Sequence, residues 1–166
     1  MKVIFLDVDG VLNHDHTKET IEGFSFVSDE QLLLLKKLVD NTGAKLVLSS
    51  TWRRGWYCKE YISEPDASDR QDIRLFDALC GKLHEVGLEL LDYTDDFGLR
   101  GTEIEAWIQN WSGEPIESFV ILDDMDELEM APYEDHLVQT CFSDGLQESH
   151  VQKATNLLNS PTAKEK

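Results

Sequence analysis

Val3-Ile4-Phe5-Leu6-Asp7-Val8-Asp9-Gly10-Val11-Leu12 sets four apolar residues directly against two carboxylates and a glycine. A short apolar run, Lys2 to Leu6, that ends in an acid predicts a strand buried on both faces, the kind found in a parallel sheet. The same pattern recurs twice. Leu46 to Leu48 ends in Ser49-Ser50-Thr51, and Phe119 to Leu122 ends in Asp123-Asp124. Leu88 to Leu91 and Leu137 to Thr140 are further candidate strands.

Between these runs the apolar spacing turns helical. Ser28 with Gln31 reads as a capping box before Leu32, Leu35, Leu38 and Val39, and Asn41-Thr42-Gly43 as the stop. Ser68 with Gln71 reads likewise before Ile73, Phe76, Leu79 or Cys80, and Leu83. Thr102 with Glu105 accompanies Ile104, Trp107, Ile108 and Trp111, with Ser112-Gly113 as the stop. Gln147 to Asn159 reads as a closing helix with Val151, Ala154, Leu157 and Leu158 inward. Alternating strands and helices predict an α/β fold: one Rossmann-like, three-layer domain with a central parallel sheet of about five strands. No repeat or Pro/Gly-rich linker divides the sequence, so residues 1–160 are expected to form the domain and 161–166 a disordered tail.

The 166 residues, 41% hydrophobic and 29% charged, suit a globular domain rather than a disordered or fibrous chain. No apolar run is long enough for a bilayer span or a secretory h-region, so the expectation is a cytoplasmic protein without membrane contact. Cys58, Cys80 and Cys141 form no C-x-x-C pair, which suits reduced thiols better than a disulfide frame or a zinc site. With 33 acidic and 15 basic residues the net charge is −18, which opposes generic binding of nucleic acid at long range. The charge is uneven, however: Thr102 to His150 holds no Lys or Arg, whereas Arg53, Arg54, Lys59, Arg70, Arg74, Lys82 and Arg100 lie in the middle third. No sequence feature points to an obligate protein partner.

Ligands of an open parallel sheet bind beyond the carboxyl ends of the strands, where strand order reverses. Asp7-x-Asp9, Ser49-Ser50 and Asp123-Asp124 are therefore expected to meet at one edge. Taken singly, Asp9-Gly10 is an ordinary turn, and Asp123-Asp124 is a cap for a turn over Met125 to Met130. Two acid pairs and a hydroxyl cluster, each directly after a buried strand, are poorly explained as independent caps. Converging carboxylates raise one another's pKa unless a cation neutralises them. With oxygen ligands and no His or Cys at the strand ends, that cation is expected to be Mg²⁺ rather than zinc. His14 and His16 read as a solvated loop near this edge, and Trp107 and Trp111 as helix packing rather than a stacking platform.

The stretch Val3 to Leu12, with its D-x-D-G pattern, resembles the first motif of the haloacid dehalogenase (HAD) superfamily of phosphotransferases. Leu46-Val47-Leu48-Ser49-Ser50 is similar to its second motif, Arg100-Gly101-Thr102-Glu103-Ile104 to its third, and Val120-Ile121-Leu122-Asp123-Asp124 to its fourth. The resemblance runs from about residue 2 to 159. Ser50-Thr51-Trp52-Arg53, the Arg-Gly-x-Glu-Ile stretch and Trp107 resemble more narrowly a branch of phosphatase domains associated with RNA repair.

The resemblance implies a phosphatase in which Asp7 attacks phosphorus and carries an aspartyl-phosphate, while Asp9 protonates the leaving oxygen and then deprotonates water. Superfamily members that are true dehalogenases lack an acid at the place of Asp9, so phosphoryl transfer is implied. Mg²⁺ is then expected on Asp7, the backbone carbonyl of Asp9, and Asp123 with or without Asp124. Ser50 and the amide of Thr51 are expected to hold phosphate oxygens, although Ser49 also fits the hydroxyl position. Ser50 keeps the spacing to Trp52-Arg53. Arg100 stands where the family offers Lys; the other reading puts Arg100 on the surface, with Lys82 a poor substitute. Arg53 and Arg54 are expected either to contact the substrate or to begin a helix on the surface.

Neither the span from Asp9 to Ser50 nor that from Ser50 to Arg100 has room for a lid domain, so no large cap and an open site are expected. The expected substrate is a phosphomonoester, with nucleotides or phosphorylated nucleic-acid ends preferred. The rival reading is a catalytically silent acidic module that binds metal or protein on the same scaffold.

Overall fold

Lys2–Leu6 forms β1 in the computed structural model, which describes residues 1–160. The tail expected over 161–166 lies outside the described residues. Along the chain follow β2 (Thr20–Ile21), β3 (Phe24–Ser25), α1 (Asp29–Thr42), β4 (Lys45–Leu48), α2 (Arg53–Tyr61) and α3 (Ala67–Glu85). Then come β5 (Leu90–Tyr93), α4 (Arg100–Asn110), β6 (Ser118–Asp123), β7 (Leu137–Gln139) and α5 (Glu148–Asn159). The expected five-stranded parallel sheet is present, in the order β5-β4-β1-β6-β7. β1 sits at its centre, with Leu6 opposite Leu48 on one side and Leu122 on the other. From β1 the chain builds outward through β4 and β5, then returns to add β6 and β7, so strand order reverses between β1 and β6.

The alternation of side chains along β1 divides the core into two layers. Ile4 and Leu6 face a cluster that includes Leu35 and Leu38 of α1, Phe76, Leu79 and Leu83 of α3, and Val151, Ala154 and Leu158 of α5. Val3 and Phe5 face the other way, onto Ile104 and Trp107 of α4 and Met130. Phe5 meets Trp107 edge to face at 5.4 Å, so that tryptophan is packing, as the sequence suggested. Each such fully buried side chain contributes about 1.5–3 kcal/mol relative to exposure.

Local signals differ from expectation in instructive ways. Ser28 precedes α1 without a side-chain cap bond; its amide donates to the Leu12 carbonyl, and the buried Gln31 side chain donates to the carbonyls of Asp144 and Leu146. The capping box of α3 is Asp66 with Asp69, not Ser68 with Gln71: each side chain accepts from the other's amide. α4 begins at Arg100, two residues before Thr102, whose hydroxyl donates back to Leu99. β5 lies two residues beyond Leu88.

The hairpin was not anticipated, and α2 only as the reading in which Arg53 and Arg54 begin a helix. α2 packs on α3 at Gly55, where a Cβ would come within 2.2 Å of the Asp72 carbonyl. β2 and β3 form a hairpin whose central Glu22 and Gly23 both take positive φ, 50° and 84°, the requirement of a type I′ turn. Arg74 of α3 anchors this hairpin through an ion pair to Glu22 at 2.8 Å. Among the described residues no separate lid domain is folded over the sheet, and no helix is long and apolar enough to cross a membrane.

Candidate active site

Where strand order reverses, β1 and β6 deliver Asp7 and Asp123 side by side. The Asp7 amide donates to the Leu122 carbonyl at 2.9 Å, and Asp7 is only 6% exposed. One carboxylate oxygen from each of Asp7, Asp123 and Asp124 lies within 4.8 Å of the other two. Burial, then the neighbouring Asp123, pushes the Asp7 carboxyl up to about 7, against the opposing pull of Arg100. Burial likewise raises Asp123 to about 6, despite Arg100, and raises Asp124.

Asp123 is fully buried, and its two oxygens have different fates. Oδ1 accepts from the Met125 amide at 3.0 Å. Oδ2 has no hydrogen-bond partner and faces the Arg100 guanidinium, with Nε at 3.3 Å. The Arg100 charge offsets part of the cost of burying this oxygen, which still lacks a hydrogen bond. With two further carboxylates beside it, the donor set fits a hard divalent ion. Gly10 makes room for this arrangement: its φ is +78°, and a Cβ there would lie 2.4 Å from Asp124 Oδ2.

The Asp9 side chain does not join the cluster. Its Oδ1 accepts from Asn13 Nδ2 at 2.9 Å and its Oδ2 from Trp52 Nε1 at 3.0 Å, so two donors from different loops hold it apart. Asn13 in turn accepts from the Gly10 amide, which ties Asp9 to the turn that follows it.

Ser49 and Ser50 follow directly after β4, and their hydroxyls have different surroundings. Ser50 directs its hydroxyl to Asp7 and accepts from the Trp52 amide at 3.3 Å. The Ser49 hydroxyl is buried without a partner, while its backbone carbonyl receives Nη1 of Arg100. Arg100 is 7% exposed at the first position of α4, and so lies against both β4 and Asp123 rather than on the surface.

Three strand-end motifs and the first residue of α4 thus converge on one edge of the sheet. The family described as the HAD domain in Swiss Army Knife RNA repair proteins matches residues 3–151. The chain belongs to that family. No match was found among curated proteins or among solved structures.

In this HAD domain the two remaining arginines differ from each other. Arg53 is 4% exposed: Nη2 pairs with Glu103 at 3.0 Å and with Asp96 at 3.1 Å, and Nη1 donates to Thr94 at 3.0 Å. Those bonds engage both Nη atoms of the guanidinium, and its helix-start position is interior rather than superficial. Arg54 is exposed but held by Asp72 at 2.8 Å and Asp69 at 3.0 Å. Thr51 is exposed at the mouth of the site.

Several residues that shape this edge carry no conspicuous sequence signal. Glu103, 2% exposed, accepts from Arg53 and from the amides of Phe97 and Gly98, and so fastens the loop before α4 to the loop after β4. Thr140, at the end of β7, donates to the Gly10 carbonyl at 2.7 Å. Asn13 could have been noticed as an amide four residues after Asp9, within reach across one turn. Trp52 was part of the quoted motif, but its bond to Asp9 was not foreseeable from spacing.

Proposed function

We propose that this chain is a Mg²⁺-dependent phosphomonoester hydrolase that works through an aspartyl-phosphate on Asp7, with a nucleotide or a phosphorylated nucleic-acid end as substrate. The observation that carries the reading is the division of labour among four carboxyls. Asp7, Asp123 and Asp124 cluster beside the Arg100 guanidinium, with Asp123 Oδ2 buried and without a hydrogen bond, while Asp9 is held outside by Trp52 and Asn13.

On this reading an oxygen of Asp7 attacks phosphorus, the bond to the leaving oxygen breaks, and Asp9 delivers its proton to that oxygen. Asp9 then takes a proton from water, whose oxygen attacks phosphorus and frees phosphate and the Asp7 carboxylate. Ser50 and the Thr51 amide steady the non-bridging oxygens, and Arg100, anchored on Asp123 and the Ser49 carbonyl, supplies the positive charge the family gives to Lys. Asp7, Asp123, Asp124 and the backbone carbonyl of Asp9 are the groups that would hold Mg²⁺. When bound, that ion neutralises the carboxylates and shields the anionic nucleophile from the anionic phosphate. Arg53 serves by position, locking the motif loop from inside, and residues 1–160 act as one catalytic domain.

The repair association of the family supports nucleic-acid ends as the substrate class. The test is phosphate release, with Mg²⁺ or EDTA, from a panel of nucleotides, end-phosphorylated oligonucleotides, sugar phosphates and phosphoamino acids. Turnover that needs Mg²⁺ and is lost in Asp7→Asn is expected. A folded protein inert toward the whole panel would favour the silent binding module.

A further inference from the structure

The Asp9 carboxylate opens onto a groove of about 440 Å³ that runs away from the Asp7 cluster. This volume lies within the range of about 300–1,000 Å³ usual for small-molecule sites. One wall is the β2–β3 hairpin, carrying Phe24; another is Trp52 and Arg54; Gln71 of α3 and Phe142, in the loop after β7, complete it. Phe24 is 48% exposed and Phe142 42%. Below them Phe26 stacks on Trp52, with centroids 6.2 Å apart and planes inclined by 21°. Both aromatic walls are anchored: the hairpin by Glu22 to Arg74, the Phe142 carbonyl by the Asp15 amide at 2.9 Å.

We infer that this groove holds the single nucleoside unit attached to the scissile phosphate, its base stacked against Phe24 and Phe142, and that it contacts no further backbone phosphate. The inference rests on the hydrolase reading of the same site: if Asp9 protonates the leaving oxygen, whatever that oxygen belongs to lies where Asp9 faces. The lining then selects the leaving group. Exposed aromatic faces suit a flat ring, and stacking on such faces is tolerant of base identity. The Gln71 side-chain amide offers a donor and an acceptor to a base edge or sugar hydroxyl. Among the described residues no uncompensated positive charge lines the groove, since Arg54 is paired with Asp69 and Asp72, and Asp72 itself is part of the wall. A second phosphate therefore finds no counter-charge there, while the net charge of −18 repels a longer polyanion.

The test compares kcat/KM, with Mg²⁺, for glycerol phosphate, nucleoside 3′- and 5′-monophosphates, oligonucleotides of increasing length phosphorylated at either end, and a phosphotyrosine peptide. The nucleoside monophosphate should exceed glycerol phosphate by about tenfold or more. Lengthening the oligonucleotide should change kcat/KM less than about threefold, with a shallow salt dependence. The double variant Phe24→Ala/Phe142→Ala should raise KM for the mononucleotide about tenfold while leaving glycerol phosphate within about twofold. Unchanged nucleotide KM in the double variant overturns the inference. So does affinity that climbs steeply with oligonucleotide length and falls steeply with salt, or preference for the phosphotyrosine peptide. Should no phosphoester be turned over, saturation-transfer NMR with adenosine still decides about the groove. Binding lost in the double variant supports the groove even as the hydrolase reading fails, and no binding to the wild-type protein overturns it.

Discussion

Trp52 Nε1 donates to Asp9 Oδ2 at 3.0 Å, so an indole on the loop after β4 aims the acid that follows β1. Sequence places these residues 43 positions apart, and the pairing of β1 with β4 brings them together. Trp52→Phe keeps a ring on Phe26 and removes only this donor. A lost hydrogen bond to a charged group is worth about 1.5–3 kcal/mol. The expected result is a fall in kcat of about 10- to 100-fold with a melting temperature lowered by several degrees but the protein still folded at the assay temperature, measured by steady-state kinetics beside thermal unfolding.

Gly10→Ala probes the opposite side of the cluster. The new Cβ must displace the Asp124 carboxylate, and the backbone at φ +78° resists any side chain. Mg²⁺ affinity by titration calorimetry should fall by about tenfold or more. Wild-type affinity would show that Asp124 takes no part in holding the ion.

Arg53 and Glu103 form a buried pair, so removing one partner strands the other. Glu103→Ala is expected to cost about 3–5 kcal/mol in denaturant unfolding. Arg54→Ala, whose guanidinium is exposed and whose buried partner Asp69 keeps its bond from the Asp66 amide, should cost less than Glu103→Ala, about 1 kcal/mol. Equal losses for the two variants would contradict the assignment of Arg53 to the interior.

The raised carboxyls at the site have a consequence for stability. Asp7, near 7, and Asp123, near 6, hold protons in the folded protein that an unfolded chain releases at about pH 4. Their contribution is fully present below that value and is lost as pH rises through 6 to 7. In EDTA the melting temperature should therefore drop between pH 5 and pH 8, and the drop should be smaller in Asp123→Asn. Mg²⁺ should raise the melting temperature more at pH 8 than at pH 5, because protons compete with the ion at low pH. A flat profile in EDTA would contradict the clustering of these groups.

The sheet was legible because central parallel strands are apolar on both faces, so Val3 to Leu6, Leu46 to Leu48 and Phe119 to Leu122 stand out as runs. α2 was legible only as a helix start at Arg53 and Arg54: its buried positions are Arg53, Gly55 and Cys58, which leave no apolar stripe to detect. The hairpin has strands of two residues each, too short for any alternation. At the site, the acids were visible because each ends a strand. The choice between Ser49 and Ser50 needed the path of the chain after β4, which brings only the Ser50 hydroxyl to Asp7, and the pairing of Arg53 needed Glu103, a partner 50 positions away. Capping motifs misled where the residue makes a tertiary contact instead, as Gln31 does with the loop before α5.

The most direct measurement is mass spectrometry of protein acid-quenched within a single turnover of an end-phosphorylated dinucleotide in Mg²⁺. A phosphoryl group on the peptide that contains Asp7, absent from Asp7→Asn, is the expected result. Turnover with no covalent phosphoryl-protein, or a phosphoryl group on any other residue, would contradict Asp7 as the nucleophile.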